Sequence, residues 1–144
     1  MKTNTNIIRM ALVALFISST VTSCKDKSPK SDSYRKNLAE MAAKMNKDCP
    51  KATGNRGDTL QAVTFDGKAL TYRLKISDEI LARMNQEYLD KERDSIVKGL
   101  SSDLKKFLVK GGCDYIRKYV SPNDSCSITI IPKELEASVE GGEK

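Results

Sequence analysis

The sequence predicts an α+β fold: a two-layer sandwich with a mostly antiparallel four-stranded sheet, built from two hairpins, covered on one face by helices. Apolar residues recur at helical spacing from Tyr34 to Met45 and again from Ile80 to Leu108. They alternate with polar residues on both sides of Asp66-Gly67, and again around Ser121-Pro122-Asn123-Asp124. Two one-sided hairpins and an amphipathic helical layer bury their apolar faces together by stacking helices on sheet.

The first helix spans about 33–47. Tyr34, Leu38, Met41, Ala42 and Met45 form its stripe, Ser31 or Ser33 can cap its start, and Pro50 biases the preceding residue away from helical geometry. In the first hairpin, Val63 and Phe65 alternate before Asp66-Gly67, and Leu70, Tyr72, Leu74 and Ile76 alternate after it. A two-residue Asp-Gly turn sets Phe65 beside Lys68 and Val63 opposite Leu70, with Ala69, Thr71, Arg73 and Lys75 facing out. Ser77-Asp78-Glu79 caps a helix over about 78–99. Gly99 and Ser101 read as a break and a new cap, and a second helix over about 102–110 stops at Gly111-Gly112. The last hairpin pairs Cys113–Val120 with Ser125–Ile131, and Pro132 ends that strand. No internal repeat is present.

At the other end of the reading, Lys2 and Arg9 precede the apolar run Met10–Ile17, which is shorter than the roughly 20 residues that a membrane span requires. A charged start, a short apolar stretch and small residues ahead of a cut describe a secretory leader. The closing Val21-Thr22-Ser23-Cys24 resembles the lipobox of bacterial lipoproteins, in which the cysteine is lipidated and becomes the new N-terminus. The chain therefore divides into a leader (1–23), a lipidated cysteine and tether (24–33), one domain (34–137) and a disordered tail (138–144). The leader's only charged residues are Lys2 and Arg9, so the mature chain keeps 23 basic against 19 acidic residues, a net +4. Lipidated Cys24 makes the membrane a partner and places the protein in the cell envelope, facing the periplasm or the surface, with the outer membrane expected ahead of the inner.

Asn46-Lys47-Asp48-Cys49-Pro50, Asp58-Thr59-Leu60, Leu70-Thr71-Tyr72, Tyr115–Tyr119 and Ile128-Thr129-Ile130 together resemble a group of small exported bacterial proteins and lipoproteins of unknown function. The resemblance covers about residues 38–132. It implies an α+β fold and an exported location, and it carries no activity. The chain departs from that pattern at Ala52–Gly57 and at Arg117, where a second tyrosine would be expected.

The chain has no histidine, which removes the commonest general base and metal ligand. It has no Cys-x-x-Cys pair, nucleophile elbow or phosphate-binding loop. The sequence thus implies no enzyme, no metal and no cofactor. Gly54-Asn55-Arg56-Gly57 joins a helix to a strand, unlike a backbone-clamping nucleic-acid loop, so no nucleic-acid partner is expected. An oxidising compartment permits one disulfide, joining Cys49 to either Cys113 or Cys126. Cys126 lies opposite Tyr119 or Val120 in the hairpin, too far from Cys113 for those two to bridge. Glu87, Lys91 and their neighbours read as a solvated, ion-paired helix face. Asp58-Thr59-Leu60 and Asp94-Ser95-Ile96 match a short O-glycosylation pattern of exported proteins, and also read simply as a strand start and a helix surface.

Lys105, Lys106, Lys110, Tyr115, Arg117, Lys118 and Tyr119 form a basic, partly aromatic patch in sequence that could receive an anionic headgroup, a glycan or an envelope protein. The simpler reading is a charged helix end beside an exposed strand face. The expected function is a membrane-anchored, non-enzymatic binding or accessory module. The alternative is an inhibitor or immunity-type lipoprotein that blocks an enzyme.

The leader generates the first prediction. Cys24→Ala should accumulate as unprocessed precursor or as soluble product, read by mass and by partitioning into detergent. A mutant that still partitions into detergent at the mature mass would remove the lipobox reading.

Overall fold

The computed structural model describes residues 29–54 and 56–140. The leader and Cys24 lie outside the described residues. Elements follow in the order α1 (Pro29–Asn46), β1 (Lys51–Ala52), β2 (Thr59–Phe65), β3 (Ala69–Lys75), α2 (Asp78–Ala82), α3 (Gln86–Gly99), α4 (Ser102–Gly111), β4 (Asp114–Val120), β5 (Ser125–Ile130) and α5 (Pro132–Glu140). The class is α+β, as the periodicities predict. Among the described residues, no helix is long and apolar enough to cross a membrane.

The sheet has five strands in the order β1-β2-β3-β4-β5, one more than predicted. The added strand is the two-residue β1, too short to register as alternation. The sheet is also mixed: the two hairpins join through a parallel β3–β4 pair, with Leu70 beside Tyr115 and Leu74 beside Tyr119. A parallel connection needs a long crossover, which α2, α3 and α4 supply.

One face of the sheet carries Leu70 and Leu74, Tyr115 and Tyr119, Ile128 and Ile130, all buried. Helix α1 lies against β2 and α4, α4 against α5, and α3 against β5. On the other face, Thr64, Arg73, Lys75, Lys118 and Ser127 are exposed, so the helical layer covers one side only, as expected.

The register of the first hairpin differs from the two-residue turn. Phe65 pairs with Leu70 and Val63 with Tyr72. Asp66 explains the longer loop, because its Oδ1 accepts from the N–H groups of Lys68 and Ala69 at 2.8 Å each. This Asx arrangement outcompetes the tight turn, and Ala69 is consequently buried rather than facing out.

The helix over 78–99 is two helices. Asn85, extended at ψ 174°, caps α3 by accepting from the Tyr88 N–H, so the chain turns at Arg83–Asn85. The caps at Ser77 and Ser101, and the left-handed Gly112 after α4, stand where the sequence put them. Helix α1 begins at Pro29, so Pro29–Ser33, assigned to the tether, are helical. Proline suits a helical first turn, where its missing N–H has no partner to lose.

The largest departure is α5. Pro132 ends β5 but also starts a helix that runs into the expected tail. Leu135 is 0% exposed, and Glu134 accepts from Arg93 of α3 at 2.7–2.9 Å. Desolvation opposes Glu134's charge, but the Ile131 N–H and Arg93 outweigh it and hold its carboxyl below the usual range. Leu135→Ala should therefore cost about 2–5 kcal/mol, as for other buried leucines. Urea unfolding checks this, and a change within experimental error would mean that α5 is not part of the core.

Candidate functional site

Arg117 sits on the wrong face for an arginine. It lies on β4 between Tyr115 and Tyr119, with Tyr72 of β3 and Ile128 of β5 beside it in register. All of these point under the helices. A guanidinium there must be paired, because an uncompensated buried charge is strongly unfavourable. Its NH2 donates to the Tyr115 hydroxyl at 3.1 Å, and its NH1 reaches Glu92 Oε1 at 3.5 Å. Its Nε is buried with no hydrogen-bond partner.

Glu92 comes from α3. Tyr88, Glu92 and Ile96 repeat every four residues, so one row of that helix faces the sheet. Besides Arg117, the Glu92 carboxylate accepts from the Tyr119 hydroxyl at 3.0 Å and pairs with Arg56 at 3.6 Å. Arg56 arrives from the loop between β1 and β2. It has φ +60°, a left-handed conformation unusual outside glycine, which carries its side chain over the Tyr88 ring at 5.3 Å.

The fourth charged group is Asp58, just ahead of β2. It is 4% exposed, its Oδ1 has no partner, and its backbone carbonyl accepts from the N–H and hydroxyl of Thr53. Burial pushes its carboxyl above the usual range, against the lowering influence of Arg56. A β-bulge turns Asp58 inward. Leu60 pairs with Leu74 but Ala62 with Arg73, so the strand gains a residue at Gln61. Without that residue, strict alternation from Val63 would send Leu60 and Asp58 to the solvent face.

These groups enclose a cavity of about 300 Å³ lined by Thr53, Arg56, Asp58, Leu60, Tyr72, Leu74, Glu92, Arg117 and Tyr119. The lining mixes ionic groups with leucine and tyrosine, and Tyr72 and Leu74 lie beside Arg117 and Tyr119 on the sheet. The phenols stay protonated: burial pushes Tyr72 up to about 12 and raises Tyr115 and Tyr119 as well. The cavity therefore brings ion-paired, hydrogen-bonding and apolar groups together. Among the described residues, no cluster of carboxylates and cysteines is placed to hold a metal ion.

The basic patch read from the sequence does not assemble. Tyr115 and Tyr119 are buried, Arg117 turns inward, and Lys118 projects from the opposite face of β4. Lys105, Lys106 and Lys110 lie on α4, and none of the three lines the cavity. Alternation along β4 separates residues that are neighbours in sequence. Arg117 and Arg56 carry a signal, because both stand where the chain departs from the related pattern, and Tyr119 is named only as part of the basic patch. Glu92 looked like one more charge on a solvated helix, and Asp58 like a strand start.

Cys49, Cys113 and Cys126, the cysteines among the described residues, are free. Cys49 Sγ contacts the Met45 carbonyl, Cys113 the Gly111 carbonyl, and Cys126 the Met84 sulfur. The disulfide expected from Cys49 to Cys113 or Cys126 is thus not formed, because the fold leaves each thiol with a different neighbour. Burial raises the Cys113 and Cys126 thiols, disfavouring reactive thiolate. Cys126 does lie opposite Tyr119, as the hairpin register predicts.

The fold has close relatives in shape. A protein of Pseudomonas aeruginosa, provisionally described as secreted, superposes with a TM-score of 0.62 at 16% identity, over 76% of this chain and 99% of that one. EpsS, the pilotin of the Vibrio vulnificus type 2 secretion system, superposes with a TM-score of 0.58 at 10% identity, over 74% and 96%. At such identities the likeness concerns the fold alone. No family model matches the chain, and no curated protein matches its sequence.

Asp58 generates a prediction with a definite sign. Its folded pKa is raised, so the fold favours the neutral acid, and stability falls as pH rises from 3.8 through the folded value. Asp58→Asn should therefore be more stable than the parent at neutral pH, and the advantage should vanish in acid, where both side chains are neutral. Urea midpoints across that range check it, and a variant equally destabilised at every pH would contradict it.

Proposed function

We propose that the chain is a lipid-anchored accessory protein of the bacterial envelope, pilotin-like in role, that binds a component of the envelope through the Arg117 cavity and transforms no substrate. The carrying observation is a lipobox-like Val21–Cys24 placed directly before a domain with the fold of a secretion-system pilotin. Because α1 starts at Pro29, only four residues separate Cys24 from the folded domain. Five Cα steps span at most roughly 18 Å, which would keep the domain close to the membrane surface. The cavity supports binding over catalysis: its phenols are held protonated, Glu92 is paired, and Asp58 is buried.

The test is affinity purification of the full-length protein from its own envelope, alongside Arg56→Ala and an outer-face control, Lys118→Ala. The expected result is membrane partitioning together with one enriched component, lost in Arg56→Ala and kept in Lys118→Ala. A protein that leaves the membrane fraction, or a turnover activity abolished by Arg56→Ala, would overturn the proposal. A stoichiometric complex with an enzyme that it silences would support the inhibitor alternative instead.

A further inference from the structure

Of the two arginines that line the cavity, only Arg117 is built into the fold. Its guanidinium reaches Glu92 at 3.5 Å and the Tyr115 hydroxyl at 3.1 Å, and the Tyr119 hydroxyl donates to the same Glu92 oxygen at 3.0 Å. Arg56 stands outside that network. It approaches Glu92 at 3.6 Å, an ion pair too long for a hydrogen bond, and its side chain is 42% exposed. Exposed pairs of this kind contribute little to stability. Yet the backbone of Arg56 is held at φ +60°, a conformation that side-chain-bearing residues rarely adopt. A costly backbone that serves only a weak ion pair points to a role outside folding. Because Arg56 both lines the cavity and is exposed, it presents unengaged N–H donors at the opening.

The sheet forms the floor of the cavity. Leu60 lies beside Leu74, and Tyr72 is two residues from Leu74 on the same strand and face. The Tyr72 hydroxyl is engaged by the Met45 sulfur at 3.2 Å, so Leu60, Leu74 and the Tyr72 ring offer apolar surface. Neither nearby acid hydrogen-bonds Arg56: Glu92 is held by Arg117 and Tyr119, and burial disfavours the charge of Asp58. A planar carboxylate matches a guanidinium through two parallel hydrogen bonds. A phosphate carries more negative charge and would be repelled harder by Glu92. The volume, about 300 Å³, is at the lower limit of ligand pockets and holds a short hydrocarbon rather than a long chain.

We infer that the cavity receives a carboxylate bearing a short apolar group, the carboxylate on the Arg56 guanidinium and the hydrocarbon over Leu60, Leu74 and Tyr72. Two sources share this chemistry: a small free acid, and the last residue of a protein chain with its α-carboxylate. The inference deepens the reading of the cavity as the binding site of an accessory protein, and rests on it for the second source. When Arg56 turns to the ligand, Glu92 keeps Arg117 and the Tyr119 hydroxyl, so no charge of the cluster loses its last partner.

The test uses the full mature protein in an uncharged detergent, titrated with N-acetylalanylleucine, with the C-terminal amide of that peptide and with 4-methylpentanoate. Tyrosine fluorescence is the readout, since the chain has five tyrosines and no tryptophan and two of the tyrosines line the cavity. A saturable change is expected with at least one of the two carboxylates, and binding about tenfold weaker or worse with the amide, as for loss of a hydrogen bond between charged groups. Arg56→Gly suits the positive φ and should lose the response by a similar factor while keeping a cooperative urea transition. Arg56→Lys, which keeps the charge without the planar fork, should fall between. Asp58→Asn removes the competing acid and should bind the carboxylate at least as tightly as the parent. No saturable response to either carboxylate overturns the inference, as does an equal response to the amide, an equal response in parent and Arg56→Gly, or weaker binding in Asp58→Asn. Inorganic phosphate is titrated in parallel, and tighter binding of phosphate would reject the apolar carboxylate. Preference for the peptide acid over 4-methylpentanoate supports a chain terminus as the source, and the reverse supports a free acid. A protein that binds the carboxylate but captures no envelope component would retire the accessory reading and leave the site standing. One that captures a component through Arg56 but ignores both carboxylates would do the reverse.

Discussion

The parallel pairing of β3 with β4 is the constraint on which the rest depends. Each hairpin alone is a two-stranded ribbon of marginal stability. Joined side by side in register, they make a continuous sheet whose buried face runs through Leu70, Leu74, Tyr115 and Tyr119. The same pairing forces a crossover between Lys75 and Asp114, and that crossover supplies the helical layer. It also decides that Arg117 lies beside Tyr72 rather than at an edge, which turns an ordinary strand arginine into the centre of a cavity.

Two local irregularities complete that cavity. The extra residue at Gln61 reverses the alternation of β2, so Asp58 and Leu60 share a face with Val63. Arg56, held at positive φ between Gly54 and Gly57, reaches Glu92 and Tyr88 from the adjoining loop. Both features work against easy folding: one breaks a hydrogen-bonded ladder, and the other places a side chain where glycine is preferred. They bring together four charged groups from a loop, a strand start, a helix and a central strand. A site assembled this way is a hub of Glu92, with Arg56, Arg117 and the Tyr119 hydroxyl converging on one carboxylate.

The fold's likeness to a pilotin and to a protein described as secreted is consistent with the secretory leader expected from the sequence. The two places where this chain departs from the pattern of small exported lipoproteins are Ala52–Gly57 and Arg117, and these supply both arginines of the cavity.

The sequence by itself determined what is local. Apolar periodicity defined the helical stripes and the two hairpins, serine and glycine marked the caps at Ser77, Ser101 and Gly112, and alternation put Cys126 opposite Tyr119. Side-chain spacing and capping act within a few residues and leave their signature in order along the chain. Tertiary structure alone decided the parallel joining of the hairpins, the bulge at Gln61, the packing of Leu135 and the meeting of Asp58 with Glu92 and Arg117. The last three residues are 25 to 59 positions apart, and no period connects them. Their chemistry depends on burial, which turns an exposed-looking acid into an unpaired one and a strand arginine into the centre of an ion-paired cluster, and burial is a property of the whole fold.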